Sequence, residues 1–81
     1  MEETWLRCRI DRGMFSDELT VIVTAANGEP MSVFIPREFV QGNAPGEGRV
    51  RVRIVREDQF AWAVLPDDNQ TQLPIGASRN A

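Results

Sequence analysis

The side chains here best suited to grip an anion are nine arginines, in a chain of 81 residues without lysine or histidine. Four of them crowd into "RVRVRIVR", Arg49 to Arg56. Strict alternation puts Arg49, Arg51 and Arg53 on one face of a strand and Val50, Val52 and Ile54 on the other. A second alternating stretch, "WLRCRIDR" from Trp5 to Arg12, sets Arg7 and Arg9 on the same parity as Trp5. A guanidinium is a rigid fork that grips carboxylate or phosphate with two parallel hydrogen bonds. Arginines interleaved with an aromatic on a sheet face are the composition used to hold single-stranded nucleic acid.

Other chemistry is poorly supplied. The absence of histidine removes Ser-His and Cys-His nucleophile pairs. The absence of lysine removes a Schiff base. One cysteine and no histidine leave no zinc cage within one chain, and no metal or cofactor is expected. The adjacent acids Asp17-Glu18, Glu57-Asp58 and Asp67-Asp68 read as solvated turn residues. Glycosidase-type work would need two carboxyls set apart across a cleft, so a carboxylate enzyme is only a remote alternative. Cys8 falls on the inward parity of its strand and reads as a small core hydrophobe. Gly46-Glu47-Gly48 lacks the lysine and the following helix of a phosphate loop and reads as a flexible link.

Eighty-one residues make a single domain. Apolar residues are 42% and charged residues 26%, which argues for a folded globule and against wholesale disorder. No apolar run approaches a membrane span. "MEETW" does not read as a secretory leader, and a lone cysteine fits a reducing compartment, so a cytoplasmic location is expected. The net charge is −3, but residues 49 to 56 carry four arginines against no acid before Glu57. Nucleic-acid-binding domains tend to be basic throughout, and this chain is not.

These arginines must be positioned by strands, because the periodicity is two nearly everywhere. The first strand is Trp5 to Arg12, with Leu6, Cys8 and Ile10 inward. The second is "LTVIVTA", Leu19 to Ala25, and the third "PMSVFIP", Pro30 to Pro36. A three-residue loop, Ala26-Asn27-Gly28 with Gly28 left-handed, pairs Leu19 with Ile35, Val21 with Val33 and Val23 with Met31. That gathers the aliphatics on one face, whereas a two-residue turn would mix the faces. "PREFVQ" predicts one short helical or 3₁₀ turn near 36–41, with Phe39 and Val40 inward. Gly42 to Gly48 reads as a flexible surface loop. The fourth strand is Arg49 to Val55 and the fifth "QFAWAVL", Gln59 to Leu65. Their expected pairs are Ile54 with Phe60, Val52 with Trp62 and Val50 with Val64, which sets Ala61, Ala63 and Leu65 across from the arginines. Residues 1–70 form the domain; 71–81 form a tail in which only Leu73 to Ile75 docks and the last five or six residues are disordered.

The stretch "FIPREFV", Phe34 to Val40, resembles the I-P-x-x-[YF]-V segment near the end of SH3 domains. It covers seven of 81 residues. The chain departs from that family in having no ALYDY-like segment, no tandem tryptophans and two further strands after the motif. Peptide binding of the SH3 kind is therefore not carried over. The predicted fold is all-β: a small antiparallel barrel of five or six strands, SH3-like as first choice and OB-like as second.

Functionally, these residues point to a non-catalytic module that binds a protein partner or a second copy of itself. The candidate surface is Arg7, Arg9, Arg49, Arg51, Arg53, Trp5 and Phe34. The alternative is single-stranded nucleic acid on the same face. Against both stands an ordinary wet sheet face, whose arginines pair with acids such as Glu3 or Asp11 at under ~1 kcal/mol each. Trp5, Ile22, Phe34 and Val55 share outward parity, so either the tail covers them or they mark a partner site.

Overall fold

The computed structural model describes residues 2–77. The protein is all-β, a curled antiparallel sheet forming a half-barrel with one 3₁₀ turn, compatible with an SH3-like or OB-like barrel. Among the described residues there are seven strands: β1 (Glu2–Arg12), β2 (Glu18–Thr24), β3 (Pro30–Pro36), β4 (Val40–Gly42), β5 (Gly46–Glu57), β6 (Phe60–Val64) and β7 (Gln72–Ala77). The order across the sheet is β3-β2-β1-β5-β6-β7, and the short β4 pairs with β5. The 3₁₀ turn, Arg37–Phe39, joins β3 to β4. No helix among the described residues is long and apolar enough to cross a membrane.

The β2–β3 hairpin has the register that the face argument predicts. Leu19 pairs with Ile35, Val21 with Val33 and Val23 with Met31. Ala25 and Glu29 close the loop through a backbone hydrogen bond of 2.9 Å, and Gly28 has φ 89°, a left-handed conformation open to glycine at little cost. Val21, Val23 and Ile35 are essentially inaccessible. With Cys8 and Ile10 of β1, Val50, Val52 and Ile54 of β5, and Leu65 and Leu73, they make one continuous core. Phe39 and Val40 pack against it from the side.

The expected β5–β6 register is corrected. Ile54 pairs with Ala63, Val55 with Trp62 and Glu57 with Phe60. The shift from the expected pairing is three residues, an odd number, so it exchanges the faces of β6. Ala61 and Ala63 are buried, while Phe60 is 62% exposed. The cause is the turn. Glu57 pairs with Phe60, leaving the two-residue connection Asp58-Gln59, and Asp58 takes φ 54°. Aspartate tolerates that left-handed conformation better than most residues. Two alanines then face the core where β5 and β6 curl inward, and the larger rings go outside.

Two strands form beyond the five located from the sequence, β4 and β7, where a barrel of five or six was expected. Val40–Gly42 is too short to show a period, and it takes the end of the predicted helical turn and the start of the predicted loop. The loop between β4 and β5 is therefore only Asn43 to Pro45. Gly46-Glu47-Gly48 is not a flexible link but the start of β5. Gly48 is held between neighbours: a Cβ there would lie 2.1 Å from Ile10 Cδ1 and 2.3 Å from the Gln41 carbonyl oxygen. At the other end, Leu73 docks as expected and is fully buried, but it does so as part of β7. The disorder expected of the last residues falls, from residue 78 on, outside the described residues; Ala77 closes β7. β5, with 12 residues, spans about 40 Å at ~3.3 Å per residue, close to the molecule's longest extent of 39 Å.

Candidate anion-binding face on the long ribbon

Alternation along β1 and β5 points Glu3, Trp5, Arg7 and Arg9 out of the same face as Glu47, Arg49, Arg51 and Arg53. The two strands are direct neighbours over nine paired positions. The outward rungs run Glu3–Arg53, Trp5–Arg51, Arg7–Arg49 and Arg9–Glu47. All five candidate arginines and Trp5 thus lie together on adjacent strands. Five arginines against two glutamates leave three positive charges in excess on this strip.

Phe34 is not brought to them. It sits on β3, opposite Thr20 and separated from β1 by the whole of β2. It is 49% exposed, beside a different cleft. The expected facing of Arg49, Arg51 and Arg53 by Leu65, Ala63 and Ala61 is also corrected. Arg53 faces Val64, Arg49 faces Gln41 of β4, and the buried alanines lie on the other side of the sheet.

The acids of the N-terminus neutralise only part of the strip. Glu3 bridges diagonally to Arg51, with 2.5 Å between Oε1 and Nη2. Glu2 holds Arg56 through two contacts, Nε to Oε1 at 3.2 Å and Nη2 to Oε2 at 3.3 Å. The hydrogen bond and charge of Arg56 hold the Glu2 carboxyl below its ordinary range, and the same pair pushes the Arg56 guanidinium up. Among the described residues, Arg7, Arg9, Arg49 and Arg53 form no salt bridge. Arg53 Nε is buried and has no hydrogen-bond partner, and an unmade bond of this kind costs about 1–3 kcal/mol.

Two concavities flank the strip. A shallow one of about 650 Å³ lies over Trp5, Arg7, Glu47, Gly48 and Arg49. The other, about 400 Å³, lies beside Arg51 and Arg53. It opens where β5 passes from β4 to β6, because β4 pairs with β5 only as far as Val50 and β6 pairs with it only from Arg53 on. Glu47 and Gln41 are members of this surface that sequence reasoning missed. Extending the parity of Arg49 back by two residues would have found Glu47. Gln41 depends on β4, which leaves no periodic signal.

Cys8 faces inward opposite Gly48 and is buried; desolvation raises its thiol above the ordinary value. Of the paired acids, Asp67 is occupied structurally. Its carboxylate accepts from the Thr71 backbone N–H at 2.7 Å and from the Thr71 hydroxyl at 2.5 Å. Among the described residues no three histidine, cysteine or acidic side chains cluster as a metal site. No family model, curated protein or solved structure matches this chain.

Proposed function

We propose that this protein is a non-catalytic interaction module that grips an acidic segment of a protein partner on the β1–β5 face. The observation that carries this reading is the set of four arginines, Arg7, Arg9, Arg49 and Arg53, that share one face and make no salt bridge there. A segment bearing aspartate, glutamate or phosphate would supply the carboxylate or phosphate oxygens these forks lack. Trp5, 38% exposed at the centre of the strip, would bury its ring against the ligand.

The same tryptophan favours a second reading, single-stranded nucleic acid. Its rung partner is Arg51, and Arg7 follows two residues along β1. A base stacked on an indole between guanidiniums is a sequence-tolerant mode worth about 1–3 kcal/mol per base.

One titration tests both. Labelled poly-glutamate peptide and a labelled oligonucleotide are added in turn over a range of salt, with ligand anisotropy as the readout and Trp5 fluorescence followed in a Trp62→Phe background. The expected result is saturable binding of the acidic peptide, lost when Arg7, Arg9 and Arg49 are together replaced by glutamine. Preferential binding of the oligonucleotide, with a log–log salt slope near ~−0.7 per phosphate contact, would replace the first reading by the second. No binding of either at low salt removes both.

A further inference from the structure

A different surface, on the far side of the half-barrel, is built to accept a strand. β3 ends the sheet: it pairs with β2 on one side and with no described strand on the other. Alternate residues of β3 therefore direct their N–H and C=O groups into the opening of the half-barrel. Protein edges of this kind are ordinarily blunted by charges, bulges or a covering loop. "PMSVFIP" has no charged residue, and its paired register runs unbroken from Pro30 to Pro36. Its prolines stand at the two ends, and alternation from the Ala25–Glu29 bond leaves Ser32 and Phe34 as the residues whose N–H groups face the free edge.

A cleft of about 560 Å³ runs along this edge. One wall is β3, with Ser32 and Phe34; the other includes Asp68 and Asn69 of the β6–β7 connection. The second wall is held in shape. Asp67 binds Thr71 twice, Gln70 donates to the Asp67 carbonyl at 3.0 Å, and Leu65 donates to the Thr71 carbonyl at 2.9 Å. Phe15, 66% exposed, stands at the cleft on a loop pinned by the Glu18-to-Phe15 backbone bond and by Arg37 reaching Ser16. An accepting site with fixed walls loses little freedom on binding.

Charge selects the occupant. Glu18, Asp67 and Asp68 line the cleft and no arginine does. Two copies joined edge to edge would press these acids together, whereas a cationic strand would be drawn in. We propose that the β3 edge accepts an extended, cationic segment of another protein, with apolar side chains alternating against Phe15 and Phe34, as an added strand. This site is distinct from the arginine face, which has the opposite charge.

The test is a titration of the intact protein with three labelled peptides: acetyl-KVKVRVKV-amide, its acidic counterpart EVEVDVEV, and the proline-interrupted KVKPRPKV. The first is expected to bind and to slow hydrogen exchange at β3. Ser32→Lys and Asp68→Lys, both at exposed positions, are each expected to weaken it by about tenfold or more. Arg49→Glu is expected to leave it unchanged, which separates this site from the arginine face. Four results overturn the proposal: no binding of the first peptide; equal binding of the acidic one; equal binding of the proline-interrupted one, which would reduce the effect to charge without strand pairing; or a sedimentation mass near twice 9.1 kDa with β3 already protected, which would make a second copy the occupant.

Discussion

Arg7 and Arg49 stand directly opposite each other across the β1–β5 pair. Directly opposed residues on one face have Cβ atoms about 4.5–5.5 Å apart, and like charges at that spacing repel. No acid bridges either of them among the described residues. Glu47 is only one rung away, opposite Arg9, so the sheet had an acid at hand and did not use it here. A strip that alternated signs would avoid this repulsion; here the cations face each other across one rung.

Arg49→Glu replaces that repulsion by a cross-strand ion pair with Arg7. The expected gain is about 0.2–1 kcal/mol, seen as a higher urea midpoint at unchanged slope. The same variant is expected to lose poly-glutamate binding. Stability and binding should therefore move in opposite directions. A variant that is less stable than the parent would show that the opposed guanidiniums do not repel.

Gly48→Ala probes how closely β4, β5 and β1 approach. The new methyl meets Ile10 Cδ1 and the Gln41 carbonyl. Overpacking of this kind costs typically about 1–3 kcal/mol. Ile10→Val deletes the Cδ1 atom but not the carbonyl contact, so adding it should recover only part of the loss. Denaturant unfolding of the single and double variants reads this coupling. Full additivity would mean that the side chain of Ile10 is not what excludes a Cβ at 48.

The β2–β3 hairpin was legible in the sequence because its turn and its faces agree. Asn27-Gly28 fixes where the chain reverses, and only one register puts Leu19, Val21 and Val23 opposite aliphatics. The β5–β6 hairpin has no such agreement. Both faces of "QFAWAVL" are apolar, so a register shift costs the pattern nothing visible, and the left-handed Asp58 that sets the turn has no glycine to announce it. The arginine strip was half legible: parity grouped the side chains within each strand, but the adjacency of β1 and β5 joins residues some 45 positions apart and follows from packing of the whole sheet. β4 and β7 lie beyond local pattern. The first is three residues long, and the second holds a proline that is tolerated because β7 is an edge.

That edge strand carries more of the core than its polar surroundings suggest. Leu73 has no accessible surface and pairs with Ala63, whose small side chain leaves it room. Leu73→Ala is expected to cost about 2–5 kcal/mol. For a domain this small that is a large share of the total. Truncation after Asn69 should be at least as damaging, since it also removes Thr71 from Asp67 and the Ala26-to-Pro74 backbone bond. Retention of a cooperative thermal transition by the truncated chain would show that the half-barrel is complete without β7.

Glu2 and Cys8 bend the stability curve at opposite ends. Glu2 is held below its ordinary value of 4.5 by Arg56, so its contribution is present above that value and is lost as the pH falls through the lowered folded value. Glu2→Gln should flatten the acid limb and lower the neutral plateau by the same amount, and both changes should be small because the pair is solvent-screened. Cys8 is raised above 9.0 by burial. Its neutral thiol is fully compatible with the core below 9.0, and stability falls as the pH rises past that value, where the unfolded chain ionises and the folded one resists. Cys8→Ala should remove that alkaline slope while lowering stability at neutral pH through the lost sulfur packing. Alkylation of Cys8 by iodoacetamide near neutral pH should be slow, and urea at sub-denaturing concentration should accelerate it in step with opening of the sheet. A thiol that reacts at the rate of an unstructured peptide would place Cys8 outside the core.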